Sequence, residues 1–269
     1  MQYIKQYGAK RTGTNYLRAL IEQNFDDAIV LMHVLGGKHN PAVDLQNFLS
    51  NNNNDPENFV VESTAAQPAE NFLPFTVEKK QFMSTHSNAI YEAVDKKQIH
   101  YLISIKDPYS WIYSNKDPYS WINRNYRQIL GAVAKAESIS IAHALVKLKT
   151  REFNALYSSY FELYQKYPQQ ATIVRYEDIL TDPSGFLNSL STKLGLIRCS
   201  SDYNDVSGIA IPTDWDKEKS SNKLDKQIFN KDFYSQKKYL NHLSAEIISI
   251  VNQEMDWELL EKYGYNKQK

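Results

Sequence analysis

Short apolar runs separated by amphipathic segments dominate the pattern of the chain. Three of these runs, rich in branched and aromatic side chains, have the length and composition of buried strands. They are AIVLMHVL at 28–35, HYLISI at 100–105 and ATIVRY at 171–176, with weaker candidates in YIKQY at 3–7 and FVVES at 59–63. Because the three runs are apolar almost throughout, they suit the central strands of a mostly parallel sheet that is covered on both faces.

Helical periodicity fills the intervals between these runs. TNYLRALIEQNF at 14–25 places apolar residues on one face, and a longer amphipathic pattern extends from Ser138 to about Tyr167. The final pattern, LSAEIISIVNQEMDWELLEKYGY, predicts one more helix with Ser244 as its N-cap and Gly264 as its end. Strands that alternate with helices predict an α/β fold in which helices flank a central sheet.

Composition narrows the classes of partner. Thirty-one basic residues balance thirty-one acidic ones over 269 residues, so we expect no nucleic-acid partner and no attraction to a membrane surface. The longest apolar run is too short for a membrane span, and MQYIKQYGAK lacks the apolar core of a signal peptide. Cys199 is the only cysteine, so no internal disulfide forms. The expectation is a single cytoplasmic domain over 1–269 in which any anion site is built locally.

A basic turn bounded by two glycines follows the first predicted strand and opens the first predicted helix. It reads GAKRTGTN at 8–15, and its cations, Lys10 and Arg11, precede the second glycine. Backbone N–H groups and the start of a helix bind phosphate in this setting. The glycine spacing is that of a P-loop, but a nucleotide triphosphatase needs Gly-Lys-Ser/Thr at its end, and Thr14 stands where that lysine would be. The turn therefore predicts an oxyanion site without the usual magnesium-binding hydroxyl.

The heptapeptide KDPYSWI occurs twice, beginning at Lys106 and again at Lys116, and only the first copy follows a predicted strand. In that copy Asp107 can cap a helix that begins at Pro108. Ser114 lies two turns further on, so its hydroxyl and the Lys106 ammonium can converge on one anion. We interpret the first copy as the anion site and the second as a local duplication that restarts the helix. The alternatives are that the second copy binds the anion, or that the repeated Tyr and Trp side chains form an aromatic recognition strip.

These two motifs resemble those of the sulfotransferases that use 3′-phosphoadenosine 5′-phosphosulfate as sulfonate donor. RTGTN at 11–15 is similar to their 5′-phosphosulfate loop, and the segment from Lys106 to Ser114 is similar to their 3′-phosphate motif, although the family usually has arginine in place of Lys106. IVRYEDILTDPSGFLNSLSTKLGL at 173–196 resembles a further family segment, whereas the glycine-rich Arg-Lys-Gly element is not recognisable and leaves Lys237 and Lys238 as weak substitutes. The resemblance implies that the donor is held by Arg11, Thr12, Gly13, Thr14, Asn15, Lys106 and Ser114, with Tyr16 and Tyr176 beside the adenine.

Sulfonate transfer also needs a base that takes the proton of the acceptor. His39 is our candidate, because GGKHNP at 36–41 resembles the Lys-x-His-x-Pro loop of the family. Its neighbour Lys38 can favour the neutral imidazole and can contact the sulfonate. The resemblance implies that Arg11 and Lys10 neutralise the negative charge at the oxygen that bridges the phosphate and the sulfonate. The substitutes for the base are Glu62, followed by His33 and His86.

The combined expectation is one P-loop-like domain of the sulfotransferase architecture that passes sulfonate to a hydroxyl or amine of a small-molecule acceptor without a metal. The resemblance is nearest to bacterial enzymes that tailor secondary metabolites. The ligand patterns of zinc and calcium sites are not found in the sequence. Glu177 and Asp178 are interpreted as structural, since neighbours on an extended segment point in opposite directions. Two alternatives stay open, a nucleotide kinase or triphosphatase of related fold and a non-catalytic nucleotide-binding protein.

Overall fold

One parallel sheet organises the fold in a computed structural model that describes residues 2–31, 35–43, 92–93, 98–115, 124–204 and 231–268. The sheet has four strands in the order β2-β1-β3-β4, and each neighbouring pair is parallel. The strands are β1 (Gln2–Gly8), β2 (Ala28–Leu31), β3 (His100–Ile105) and β4 (Ala171–Arg175). The predicted α/β fold, with helices flanking a parallel sheet, is confirmed.

Several helices in the described part of the chain begin where the sequence offers a cap. Asp107 accepts hydrogen bonds from the N–H groups of Tyr109 and Ser110, and Pro108 is the first helical residue, as predicted. The helices are α1 (Thr14–Asn24), α2 (Pro108–Ser114), α3 (Arg124–Glu137), α4 (Ile141–Lys166), α5 (Tyr176–Thr181), α6 (Pro183–Leu194), α7 (Lys231–Ser235), α8 (Ala245–Glu254) and α9 (Trp257–Glu261), with a 3-10 helix at Lys238–His242.

A hydrophobic core forms on each face of the sheet because the strands are apolar on both faces. Along β1, Ile4 packs in the core that α1 and α6 cover, while Tyr3 and Tyr7 pack in the core that α4, α8 and α9 cover. The alternation follows from the two-residue period of a strand. Among the helices that the structure describes, none combines the length and the hydropathy needed to cross a bilayer.

Two predicted boundaries are wrong, and positive backbone φ angles give the reason. The strand predicted over 28–35 ends at Leu31, and Leu35 has a φ of 58° in a turn. Ser138, the predicted start of the long helix, has a φ of 53°, a left-handed conformation that a helix interior excludes. The helix begins instead after Ser140, whose hydroxyl accepts the N–H of His143. The candidate strand at 59–63 lies outside the described residues.

The C-terminal pattern forms two helices where one was predicted. Ser244 does cap α8, and Gly264 has a positive φ of 77° beyond α9, as a helix end requires. Between them, Asp256 accepts a hydrogen bond from the N–H of Leu259 and so starts α9 as a separate helix. The helix break was missed because Asp256, which caps α9, lies within a continuous apolar periodicity.

Strand order creates a switch point between β1 and β3. The chain leaves β1 for β2 on one side and later enters β3 on the other side, so the carboxyl ends of β1 and β3 lie next to each other. Gly8 at the end of β1 is the partner of Ser104 near the end of β3. Ligands of open α/β sheets bind at such a point. Both predicted anion motifs leave the sheet here, one after Gly8 and the other after Ile105.

Candidate active site

The turn after β1 is held in shape by its own short hydrogen bonds. The Thr12 hydroxyl donates to the Ala9 carbonyl oxygen at 2.7 Å, and the Ser104 hydroxyl of β3 donates to the Thr12 carbonyl oxygen at 2.6 Å. At Gly8 a Cβ atom would lie 2.8 Å from the Thr12 hydroxyl oxygen, so a side chain there would displace the turn. Arg11 and Gly13 both have positive φ, which bends the backbone towards the start of α1.

The start of α1 suits an anion. Gly13 is its N-cap and provides no side-chain cap, and the first turn contains no acidic residue. The first intrahelical hydrogen bond runs from the N–H of Leu17 to Gly13, so the N–H groups of Thr14 and Asn15 precede it and have no intrahelical acceptor. The Gln6 amide fixes the first turn by donating to the Thr14 carbonyl oxygen at 2.9 Å. These N–H groups and the helix dipole favour negative charge at this position.

The two cations of the turn, Lys10 and Arg11, are exposed. The Trp111 indole of α2 donates to the Lys10 carbonyl oxygen at 2.6 Å, which fastens the first turn to the repeated heptapeptide. This bond gives the Trp in the first copy a structural role, and it agrees with the packing of Trp111 on Phe153 at 5.0 Å between ring centres. In the described copy the Trp is buried and does not belong to an exposed strip.

Lys106 and Ser114 converge, as the spacing of the motif predicts. Lys106 is 2% exposed, and its ammonium donates to the Ser114 hydroxyl at 2.9 Å and to the Arg11 carbonyl oxygen at 3.3 Å. The Lys106 N–H in turn donates to the Tyr157 hydroxyl of α4 at 2.9 Å. One ammonium group therefore joins the strand-end motif to the turn after β1.

The charges of two buried carboxylates, Glu177 and Asp107, act on this ammonium. Burial lowers the pKa of Lys106 to about 7, against the charges of Glu177 and Asp107, and the charge of Arg11 lowers it further. Burial raises the pKa of Glu177, which accepts the N–H of Asp107 at 3.0 Å and the Tyr265 hydroxyl at 2.8 Å. The prediction that Glu177 lies on an extended segment is wrong, because Glu177 and Asp178 belong to the first turn of α5.

Aromatic rings close the same end of the site. The Lys106 Nζ atom lies 4.6 Å from the ring centre of Tyr176 and 4.3 Å from that of Tyr234. The Tyr176 ring also covers Gly13, where a Cβ atom would overlap it. Tyr16 is buried in α1, and the Lys231 Nζ atom lies 5.8 Å from its ring centre. The sequence did not single out Tyr234, because α7 is a five-residue helix without a readable periodicity.

The loop after β2 brings His39 to the turn after β1. The His39 Nδ1 atom lies 2.7 Å from the Gly8 carbonyl oxygen, and the N–H of Gly8 donates to the Lys38 carbonyl oxygen at 2.9 Å. Because a carbonyl only accepts, the neutral imidazole carries its proton on Nδ1 and has Nε2 as its basic nitrogen. This is the tautomer in which Nε2 can accept a proton from a substrate.

Lys38 connects the same loop to α1. Its buried ammonium donates to the Asn15 side-chain oxygen. Burial lowers the pKa of Lys38 to about 7, and the charge of Arg18 adds to the shift. Lys38 and Asn15 therefore form one group at the start of α1, beside the N–H groups described above.

Other predicted residues lie apart from this group or outside the described residues. Lys237 and Lys238 are exposed next to the 3-10 helix, and the charge of Lys237 reaches Asp107, where it opposes the rise in pKa that burial causes. The described ranges contain no group of three or more His, Cys, Asp and Glu side chains that could hold a metal ion. Outside those ranges lie Glu62, His33, His86 and the second KDPYSWI.

Comparisons with known proteins find similar chains among solved structures. No family model matches the chain, and no curated protein matches it. Among solved structures, the chain is similar to the sulfotransferase domain from the Synechococcus PCC 7002 olefin synthase, with 14% sequence identity and a TM-score of 0.45. The alignment covers 99% of this chain and 94% of that chain. The chemistry of the site therefore rests on the side chains described above.

Proposed function

We propose that the protein is a cytoplasmic sulfotransferase that moves the sulfonate of 3′-phosphoadenosine 5′-phosphosulfate to a hydroxyl or amine of a small molecule. The observation that carries the proposal is the contact of one buried ammonium, Lys106, with both Ser114 and the Arg11 carbonyl. This contact joins two motifs that are about a hundred residues apart in sequence, at the switch point of the sheet, and it supports one site for both phosphates.

The residues present fit a nucleotide that carries anionic groups at both its 5′ and its 3′ position. The uncapped start of α1 and the exposed Arg11 suit the 5′-phosphosulfate. Lys106 with Ser114 suits the 3′-phosphate, because an ammonium and a hydroxyl together provide donors to phosphate oxygens. We assign the adenine to the side of Tyr16 and Tyr176, whose rings lie next to the start of α1.

In the proposed reaction the sulfur–oxygen bond to the 5′-phosphate breaks while a bond from the acceptor oxygen or nitrogen to sulfur forms. The acceptor's proton passes to Nε2 of His39, whose tautomer is set by the Gly8 carbonyl. Arg11, with Lys10 beside it, offsets the charge that the departing phosphate acquires, and the N–H groups of α1 act in the same direction. Lys38 is placed to exchange Asn15 for a sulfonate oxygen.

A transfer assay tests the proposal. Donor labelled with sulfur-35 is incubated with the purified protein and a small-molecule extract of its source, without added magnesium. We expect label in an acceptor and formation of adenosine 3′,5′-bisphosphate. Magnesium-dependent turnover of ATP would instead support a nucleotide kinase or triphosphatase. Binding of the bisphosphate without any transfer across the extract would support a non-catalytic binding protein.

A further inference from the structure

A buried lysine in the middle of β1 has no part in the proposed reaction. Lys5 is 0% exposed and lies between Tyr3 and Tyr7 on the face of β1 that packs towards α4. Burial lowers the pKa of Lys5 well below its ordinary value, and the charge of Lys38 adds to the shift. A buried amine is unfavourable unless a hydrogen bond compensates for lost water. The Lys5 amine donates to the carbonyl oxygen of Gly36 at 2.6 Å, in the loop that carries His39.

The acceptor belongs to a turn that needs to be held. Leu35 and Gly36 are consecutive residues with positive φ, 58° and 82°, and a leucine in this conformation is strained. The Tyr7 hydroxyl donates to the Leu35 carbonyl oxygen at 2.5 Å and accepts the N–H of Val43 at 3.3 Å. Side chains at alternate positions of one strand, Lys5 and Tyr7, therefore bind two successive carbonyl groups of the turn.

The turn leads directly to the imidazole. Three residues after Gly36, His39 places Nδ1 on the Gly8 carbonyl oxygen. The loop is thus fixed to β1 at both ends, by Lys5 and Tyr7 at its start and by Gly8 near His39. If the first attachment were lost, the turn could relax at Leu35 and Gly36, while the bonds of the loop to Gly8, α1 and α4 would remain.

We propose that Lys5, supported by Tyr7, is a positioning residue for His39 that keeps the imidazole in the tautomer with a basic Nε2. The inference deepens the proposed function and rests on it, because the orientation of His39 matters for turnover only if His39 is the base. Lys5 does not touch the reacting atoms in this account. Its amine acts through the backbone of Leu35, Gly36 and the loop that follows.

Nuclear magnetic resonance tests this inference without an acceptor. In protein labelled with nitrogen-15, long-range proton–nitrogen correlations distinguish the two imidazole tautomers, and a His39→Gln variant assigns the signal among six histidines. Spectra are recorded about two units above the usual imidazole pKa of about 6.5, where the ring is neutral. The variants are Lys5→Met, which keeps an unbranched apolar chain and removes the amine, and Tyr7→Phe, which removes only the hydroxyl. Tyr3→Phe is the control, since Tyr3 lies at the far end of the same strand face.

We expect His39 to be protonated on Nδ1 in the wild type and in Tyr3→Phe. In Lys5→Met the ratio of the two tautomers should shift towards Nε2–H by about tenfold, the size of one lost hydrogen bond, with a smaller shift in Tyr7→Phe. Unchanged tautomers in both folded variants would overturn the inference, as would a wild-type His39 protonated on Nε2. If Lys5→Met does not fold, Tyr7→Phe decides the question.

Turnover separates this inference from the proposed function. Lys5→Met should lower kcat for sulfonate transfer by about tenfold while the Kd for adenosine 3′,5′-bisphosphate stays unchanged. If the wild type does not bind the bisphosphate, the proposed function fails, and the tautomer ratio still decides whether Lys5 positions the imidazole. If the wild type transfers sulfonate and the variant's tautomers and kcat match it, the role of Lys5 alone is refuted.

Discussion

Two buried lysines lie at the same edge of the sheet, and their surroundings differ. Burial lowers the pKa of both Lys106 and Lys38 to about 7. The charges of Glu177 and Asp107 work against that shift at Lys106, whereas at Lys38 the charge of Arg18 reinforces it. Lys106 donates to a hydroxyl and a backbone carbonyl, and Lys38 donates to the Asn15 amide oxygen.

The difference suggests that Lys106 is fixed by the protein, whereas the ionisation of Lys38 responds to a bound anion. Lys106 is held by its hydrogen bonds to Ser114 and to the Arg11 carbonyl, and the charges of Glu177 and Asp107 favour its ammonium form, so its position does not depend on a bound ligand. The charges that act on Lys38 oppose its ionisation, so a bound anion would supply its countercharge. We infer that Lys106 determines which nucleotide binds, while Lys38 obtains its countercharge from the bound sulfonate.

The largest effect should come from the cation in the turn that both lysines touch. Lys106 contacts the carbonyl of Arg11, and Lys38 contacts Asn15 at the other end of that turn. Arg11→Ala should lower kcat/KM for sulfonate transfer by about a thousandfold, because the charge on the departing phosphate loses its main partner. Arg198→Ala is the control, since Arg198 pairs with Phe25 just before β2 and so lies at the amino ends of the strands, away from the turn. A rate near that of the wild type would show that the turn is assigned to the wrong group.

Removal of the base should affect chemistry and spare binding. His39→Gln is expected to lower kcat by about a hundredfold or more, because no base then takes the proton of the substrate that receives the sulfonate. The Kd for adenosine 3′,5′-bisphosphate, measured by calorimetry, should stay within about twofold of the wild type. His143→Gln, in α4, is the control. Loss of nucleotide binding in His39→Gln would move His39 to a structural role.

The same substitution at each lysine tests whether the two have different roles. Lys106→Met should remove most of the preference for adenosine 3′,5′-bisphosphate over adenosine 5′-monophosphate, a loss of about thirty- to a hundredfold, because only the 3′-phosphate meets that ammonium. Lys38→Met should weaken both nucleotides by similar factors of about tenfold or less. Calorimetric titrations of both variants with both nucleotides give the four constants. If Lys38→Met removes the preference and Lys106→Met does not, the roles are reversed.

Nucleotide binding should also depend on pH. Above pH 7 the free protein has lost protons from Lys106 and Lys38, since the pKa of each is about 7. A bound anion favours the charged ammonium and raises its pKa, so binding takes up protons and weakens as the pH rises through 7. The slope should be at most about tenfold per pH unit for each lysine. Titrations from pH 6.5 to 8.5, in buffers of different ionisation enthalpy, measure both affinity and proton uptake. Affinity that stays constant or increases with pH would contradict this account.

Local signals predicted the fold better than the surroundings of the site. β3 and β4 follow from their apolar runs, β1 from the weaker candidate at 3–7, and the start of α2 from Asp107 and Pro108. The end of β2 did not, because apolar residues continue past Leu31 into a chain that turns at Leu35. The apolar character of a residue predicts that it is buried, but it does not predict its backbone conformation.

The site divides in the same way. Lys106 and Ser114 are eight positions apart, and helical geometry brings them together as predicted. Glu177, Tyr157 and Tyr234 reach Lys106 or its neighbours from distant parts of the chain, so their contacts depend on tertiary packing. Lys5 was hidden for another reason, since a lysine within a strand pattern predicts an exposed position, and its burial follows from the loop that covers it.

We expect one doubly phosphorylated adenosine to span the turn after β1 and the end of β3. Calorimetry of the wild type with adenosine 3′,5′-bisphosphate, each of the two adenosine monophosphates and magnesium ATP tests it most directly. The bisphosphate should bind at least about a hundredfold more tightly than either monophosphate and more tightly than magnesium ATP. Equal affinity for the bisphosphate and one monophosphate, or a preference for magnesium ATP, would contradict it.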